Sequence, residues 1–197
     1  MKNPPQLWVL AGGNGAGKST FYRLFLKPRG IKLINADLIA REIDPENPEK
    51  AGYRAAHLAV RIMEDMLEQG LSFCCETVFS HPSKVDLTAR AKALGYEIIL
   101  VFVHLETPAL HEARVSQRVA EGGHSVPSEK IYTRLPRTLQ NIAAVLPLAD
   151  EARILDNSSR KNPFRQIAVI KQGKFKALVS PLPEWIRLLL QYFTEQP

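Results

Sequence analysis

Leu7-Trp8-Val9-Leu10-Ala11-Gly12-Gly13-Asn14-Gly15-Ala16-Gly17-Lys18-Ser19-Thr20 sets the reading of the whole chain. An apolar run, Leu7 to Ala11, leads into Gly12 to Ser19, which match G-x-x-x-x-G-K-[ST] without a mismatch. A helical pattern, Ser19 to Leu26, opens directly behind. A strand, a glycine loop and a helix start are the context in which this motif binds phosphate. Glycines let the backbone wrap a phosphate with its N–H groups, where side chains would clash. The helix start adds the positive end of its dipole. Lys18 is expected to reach the β- and γ-phosphates. The Ser19 hydroxyl is expected to coordinate Mg²⁺, with Thr20 beside it. The nucleotide is ATP or GTP; the loop does not distinguish the base. The bland alternative is a glycine-rich turn that binds nothing.

Outward from the loop, strand-like and helix-like patterns alternate. Lys32 to Asn35 reads as a second strand and Ser72 to Glu76 as a third. Ile98 to Leu105 is almost wholly apolar, as a strand buried on both faces of a parallel sheet would be. Ala152 to Asp156 is the last strand of that kind. Helical spacing marks Ala51 to Gln69, Ser83 to Leu94, Pro108 to about Ala120, and Ser128 to Leu146. Pro136 predicts a bend or an interruption in the last of these. Ile167 to Ile170 and Phe175 to Val179 flank Gln172-Gly173 as a β-hairpin, and Pro183 introduces the amphipathic helix Glu184 to Phe193. The expected fold is one three-layer α/β P-loop kinase domain, residues 1–197, with a mostly parallel central sheet and a C-terminal hairpin plus helix. Residues 114–137 form a lid-like segment within it, and residues 160–197 form the C-terminal addition.

The chain has 197 residues, 45% hydrophobic and 23% charged, which suits one soluble globular domain. A net charge of +6 favours anionic ligands or a solvated basic surface. Cys74 and Cys75 are adjacent and badly placed for a structural disulfide, so a reducing, cytoplasmic setting is expected. No apolar run approaches membrane-spanning length. The basic tail lacks interleaved aromatics, so nucleic acid is not the expected partner.

The loop alone does not separate kinases from GTPases and transport ATPases. The chain contains no Leu-Ser-Gly-Gly-Gln signature, no clear strand-like apolar run ending in Asp-Glu, and no Asn-Lys-x-Asp of the GTPase kind. These absences point toward a small-molecule kinase. Residues 11–20 (Ala-Gly-Gly-Asn-Gly-Ala-Gly-Lys-Ser-Thr), 35–40 (Asn-Ala-Asp-Leu-Ile-Ala) and 73–80 (Phe-Cys-Cys-Glu-Thr-Val-Phe-Ser) carry a family resemblance. Residues 114–127, 134–141 and 155–158 carry it further. The chain resembles the zeta-toxin family, and more closely its short stand-alone kinase-like members, from Leu7 to about Ser158. The resemblance implies an ATP-dependent kinase whose acceptor is a small hydroxyl-bearing molecule. In the better-known members that acceptor is UDP-N-acetylglucosamine, and a small antitoxin protein neutralises the enzyme. Another nucleotide-sugar, a nucleoside or an antibiotic is the alternative acceptor. A nucleotide-driven switch acting on a protein partner is the alternative class.

Each further candidate has two readings. Asp37 is either the carboxylate that orients the acceptor hydroxyl and takes its proton, or the N-cap of the helix that follows. Glu76 and Thr77, closing an apolar strand, are either a solvent-exposed strand end or a contact to substrate or to a water on Mg²⁺. Arg114 and Arg118 share a helix face. With Arg134 and Arg137 they are either a solvated basic face or ligands of the γ-phosphate; Arg118 and Arg134 are the preferred pair. His124 is expected to be a loop hydrogen-bonder, beside a Gly122-Gly123 hinge. His57, His81, His104 and His111 show no metal-ligand spacing. Asp156-Asn157-Ser158 are placed near the adenine.

Overall fold

The computed structural model describes residues 3–121 and 126–194. The expected hinge Gly122-Gly123 and His124 lie outside these. A seven-stranded sheet organises the chain in the order β2-β3-β1-β4-β5-β6-β7. The strands are β1 (Gln6–Ala11), β2 (Lys32–Ile34), β3 (Phe73–Thr77), β4 (Glu97–His104), β5 (Glu151–Asp156), β6 (Arg165–Lys171) and β7 (Lys174–Ala177). The first five run parallel, and β6 and β7 are antiparallel additions at one edge. Strand β1 lies between β3 and β4, with Val9 opposite both Cys75 and Leu100. The chain leaves β1 toward β2 and later returns on its other side as β4. The strand order therefore reverses at β1, and sheets of this type bind ligands beyond the strand ends at such a reversal.

Strand burial alternates between two cores. Leu7, Val9, Ile98, Leu100 and Phe102 pack on one face with Met63, Ile142 and Ile186. Trp8, Leu10, Ile99, Val101 and Val103 pack on the other with Phe21 and Leu26. The helices are α1 (Lys18–Phe21), α2 (Ala36–Ile43), α3 (Pro48–Glu68), α4 (Ser83–Ala93), α5 (Pro108–Ala120), α6 (Ser128–Val145) and α7 (Glu184–Thr194). Helix α1 is shorter than the expected Ser19–Leu26 because the chain widens into a π-turn at Tyr22–Leu26 and tightens again at Lys27–Arg29. Helix α6 runs through Pro136 without the interruption that proline predicts. Thr138 Oγ1 donates to the Arg134 carbonyl at 3.0 Å and Arg137 Nε to the Thr133 carbonyl at 3.1 Å, which adds donors around the turn that lacks the proline N–H.

The hairpin turn falls at Gln172-Gly173, where φ is 50° and 72°. Two such residues match the right-handed twist of the flanking strands. Cys74 and Cys75 are buried, and burial pushes both thiols up, that of Cys75 to about 11. Protonated thiols are poor nucleophiles, so these two serve the core. No helix among the described residues is long and apolar enough to cross a membrane.

Candidate functional site

The loop after β1 is shaped by what stands behind it. Gly12 adopts φ 149°, and a Cβ there would sit 2.1 Å from the Val103 carbonyl oxygen. Gly17 caps α1 at φ 98°, and its Cβ would sit 2.5 Å from Asn157 Nδ2. Asn157, buried beyond β5, donates from Nδ2 to the Ala16 carbonyl at 2.8 Å and from its backbone to the His104 carbonyl at 2.9 Å. Gly12, Gly13 and Ala16 pack on this buried side, while Asn14, Gly15, Gly17, Lys18, Ser19 and Thr20 line a cleft of about 1160 Å³.

Lys18 is 8% exposed, and its Nζ donates to the Gly12 and Gly13 carbonyls at 2.9 and 3.1 Å. Burial pushes its pKa down; the carboxylates of Glu76 and Asp37 work against that, and Arg118 adds to it. The Ser19 hydroxyl donates to Glu76 Oε1 at 2.9 Å. Glu76 Oε2 is buried and has no hydrogen-bond partner among the described residues. A buried carboxylate oxygen without a partner beside a hydroxyl fits a hard cation. Mg²⁺ is commonly held by one or two carboxylates together with water and substrate phosphates. Among the described residues no group of three or more His, Cys, Asp or Glu side chains could hold a metal alone, so such an ion would draw its remaining ligands from water and the nucleotide.

Across the cleft, Asp37 lies in the first turn of α2 and is exposed. The N-cap is Asn35, whose Oδ1 accepts from the Asp37 and Leu38 amides at 2.7 and 3.2 Å. Capping is thus done by the residue at the end of β2, and the Asp37 carboxylate stands apart from it. Glu76, Thr77 and Val78 lead into a turn at Phe79, which is buried at φ 65°, an unusual conformation for a bulky residue. Helix α6 holds that turn. Thr138 Oγ1 donates to the Val78 carbonyl at 2.9 Å, and Asn141 Nδ2 to the Phe79 carbonyl at 2.9 Å. One turn earlier, Arg134 faces the cleft, as do Arg114 and Arg118 of α5. Arg114 Nη2 also donates to the Asn157 carbonyl at 2.6 Å, fastening α5 to the loop after β5. Arg137 is exposed, turns back on its own helix and does not line the cleft.

The Zeta toxin family model matches residues 1–166. The chain belongs to the zeta-toxin family. An uncharacterized protein of Haemophilus influenzae is 29% identical over 136 residues, 66% of this chain and 96% of that one. Solved structures share the fold at low identity. The AvrRxo1-ORF1:-ORF2 complex with ATP superposes at TM-score 0.71 and 16% identity over 96% of this chain and 63% of that one. This zeta-toxin chain therefore spans less than two thirds of that neighbour's length. A structure from the PezAT chromosomal toxin–antitoxin system of Streptococcus pneumoniae gives TM-score 0.65 at 16% identity, covering 98% and 88%. A putative kinase of Chloroflexus aurantiacus gives 0.61 at 16%, covering 97% and 98%.

The cleft of this zeta-toxin chain also gathers residues that the sequence did not single out for it. Lys130 and Arg160 line it, the latter with Nη2 on Gln117 Oε1 at 2.8 Å. Phe164, at φ 55°, lines it beside Pro163 and stacks edge-on to Phe21 at 5.5 Å. Of Asp156-Asn157-Ser158, only Asn157 lines the cleft, and Asp156 Oδ1 instead binds the Ser158 amide and hydroxyl. A basic stretch and a lone phenylalanine carry no motif, so no local signal could have placed them there.

Proposed function

We propose that this chain is an ATP-dependent kinase that transfers the γ-phosphoryl group to a hydroxyl of a small metabolite. The acceptor we favour is a nucleotide-sugar such as UDP-N-acetylglucosamine. One observation carries the reading: Asp37 faces the phosphate loop across a single cleft, and Asn35 has relieved it of capping. A P-loop ATPase needs the loop; a kinase also needs a carboxylate on the acceptor side.

In this reading the loop amides and Lys18 hold the β- and γ-phosphates. The Asp37 carboxylate accepts the proton of the acceptor hydroxyl as its oxygen bonds to phosphorus and ADP leaves. Arg118 and Arg134 face the charge that spreads over the equatorial oxygens. Ser19 and Glu76 would hold Mg²⁺, whose chemistry is to neutralise charge between the β- and γ-phosphates. Residues 114–137 act as the lid, bringing Arg118 and Arg134 in with it. The fold shared with a chain of the PezAT toxin–antitoxin system supports an antitoxin protein as partner.

The test is incubation with ATP, Mg²⁺ and a metabolite panel that includes UDP-N-acetylglucosamine, with products read by mass spectrometry. Asp37→Asn should keep ATP affinity and lose about 10²–10⁴-fold in acceptor phosphorylation, the scale for a general base. A wild-type rate in that variant would refute the role of Asp37. Phosphorylation of another hydroxyl alone would keep the kinase and remove the nucleotide-sugar.

A further inference from the structure

Two buried imidazoles stand beside the phosphate loop without lining the cleft, and the roles proposed above leave both unassigned. His111 of α5 is fully buried, and its Nδ1 is 2.7 Å from the Asn14 carbonyl oxygen. A carbonyl only accepts, so the proton lies on Nδ1 and Nε2 is left a lone pair. His104, at the end of β4, is 2% exposed with its ring centroid 6.1 Å from that of His111. Trp185 of α7 packs on His104 at 4.3 Å. Among the described residues, His111 Nε2 and His104 Nδ1 are buried without hydrogen-bond partners. Burial also lowers the pKa of both rings, that of His104 to about 3, which keeps them neutral near pH 7. A leucine at 111 would fill this space with no unsatisfied nitrogen. What the imidazole supplies in return is its bond to the loop.

That bond has a geometric consequence. The Asn14–Gly15 peptide is planar and trans, so a carbonyl turned toward His111 sends the Gly15 N–H the opposite way. Gly15 lines the cleft at φ 76°. The same ring occupies the space of a Gly13 side chain: a Cβ there would meet His111 Cε1 at 2.4 Å. We propose that His111 is a positioning residue for phosphoryl transfer. Its Nδ1–H holds the Asn14 carbonyl outward and so keeps the Gly15 amide aimed at the bound phosphates, with His104 and Trp185 backing the ring. Trp185 packs on His104 and lies beyond residue 166, where the family match ends, so the C-terminal helix reaches His111 through His104. The inference rests on reading Gly12 to Ser19 as the phosphate site.

Three proteins test it: wild type, His111→Leu and His111→Asn, each measured for ATP turnover, ATP affinity and urea midpoint. Leucine fills the space without a donor, whereas asparagine places an amide N–H near the position of Nδ1. His111→Leu should lose about 10–100-fold in kcat/KM, the scale of one hydrogen bond to a charged group, here that of the Gly15 amide to a phosphate. His111→Asn should recover most of that loss. A purely packing role predicts the reverse order, with leucine tolerated and asparagine damaging, and that order would overturn the proposal. If His111→Leu does not fold, His111→Gln replaces it, because its amide reaches the Nε2 position and misses the Asn14 carbonyl. Equal activity of wild type and the donor-less variant would also overturn it. A wild-type protein that binds no ATP would instead defeat the reading of the loop on which the proposal stands.

Discussion

Lowering the pH from 7 to 5 should cost the folded protein about 2 kcal/mol through His104 alone. The ring is 2% exposed, and desolvation, with His111 as a secondary cause, lowers its pKa from 6.5 to about 3. The unfolded chain takes up the proton as pH falls through 6.5, while the folded chain refuses it until about 3. The contribution to stability is therefore complete above about 6.5 and drains away as the pH falls toward 3. At pH 5 the gap spans about 1.5 pH units at about 1.36 kcal/mol each, giving about 2 kcal/mol. Against a typical stability of about 5–15 kcal/mol this is readily measured. His111, also buried and lowered, adds a loss of the same sign, so the difference from a His104→Leu variant isolates the His104 share. Urea titrations at both pH values and fixed ionic strength supply the four free energies. Wild type should fall by about 2 kcal/mol more than His104→Leu between pH 7 and 5. Equal declines would mean that His104 is hydrated or protonated in the folded protein, and the buried-imidazole reasoning would be wrong.

Further outcomes follow from the cleft. Lys18→Ala should lower phosphoryl transfer by about 10²–10³-fold, the scale of one preorganised donor; turnover at the wild-type rate would contradict the loop's role. Arg118→Ala and Arg134→Ala should each lower kcat more than they weaken ATP binding, because charge that builds in the transition state is stabilised only there. Arg137→Ala, whose guanidinium turns back onto the Thr133 carbonyl, should leave kcat within about twofold, as surface changes away from a site usually do. Matched kinetics and ATP titrations check all three arginines, and a deficit confined to Arg137 would invert the assignment. Glu76→Gln should raise the Mg²⁺ concentration needed for half-maximal activity by about 10–100-fold, as lost support of a metal site does; an unchanged MgCl₂ titration would remove Glu76 from the metal's surroundings.

The sequence disclosed whatever is contiguous. The Gly12 to Ser19 motif is one string whose glycines, lysine and serine lie within a few residues of each other. The strands are apolar runs because parallel strands are buried on both faces. The i, i+4 spacing of Arg114 and Arg118 already placed them on one helix face, and both line the cleft. Local rules failed where two of them applied at once. Asn35 and Asp37 are both good capping residues, and only the end of β2 at Ile34 decides that Asn35 caps and Asp37 does not. Arg134 and Arg137 are close enough to share a face, yet a contact to the Thr133 carbonyl draws Arg137 away. What joins distant segments left no local trace. Asn157 locks the loop across 141 residues of chain, and His104, His111 and Trp185 meet only because β4, α5 and α7 converge behind it. The same holds for Phe79, whose positive φ depends on Thr138 and Asn141 of α6. The candidate reactive residues were thus readable as residue types, while the contacts that hold them in place were readable only from the fold. That division is why the decisive variants include His104 and His111, which no motif contains, as well as Lys18, which lies in one.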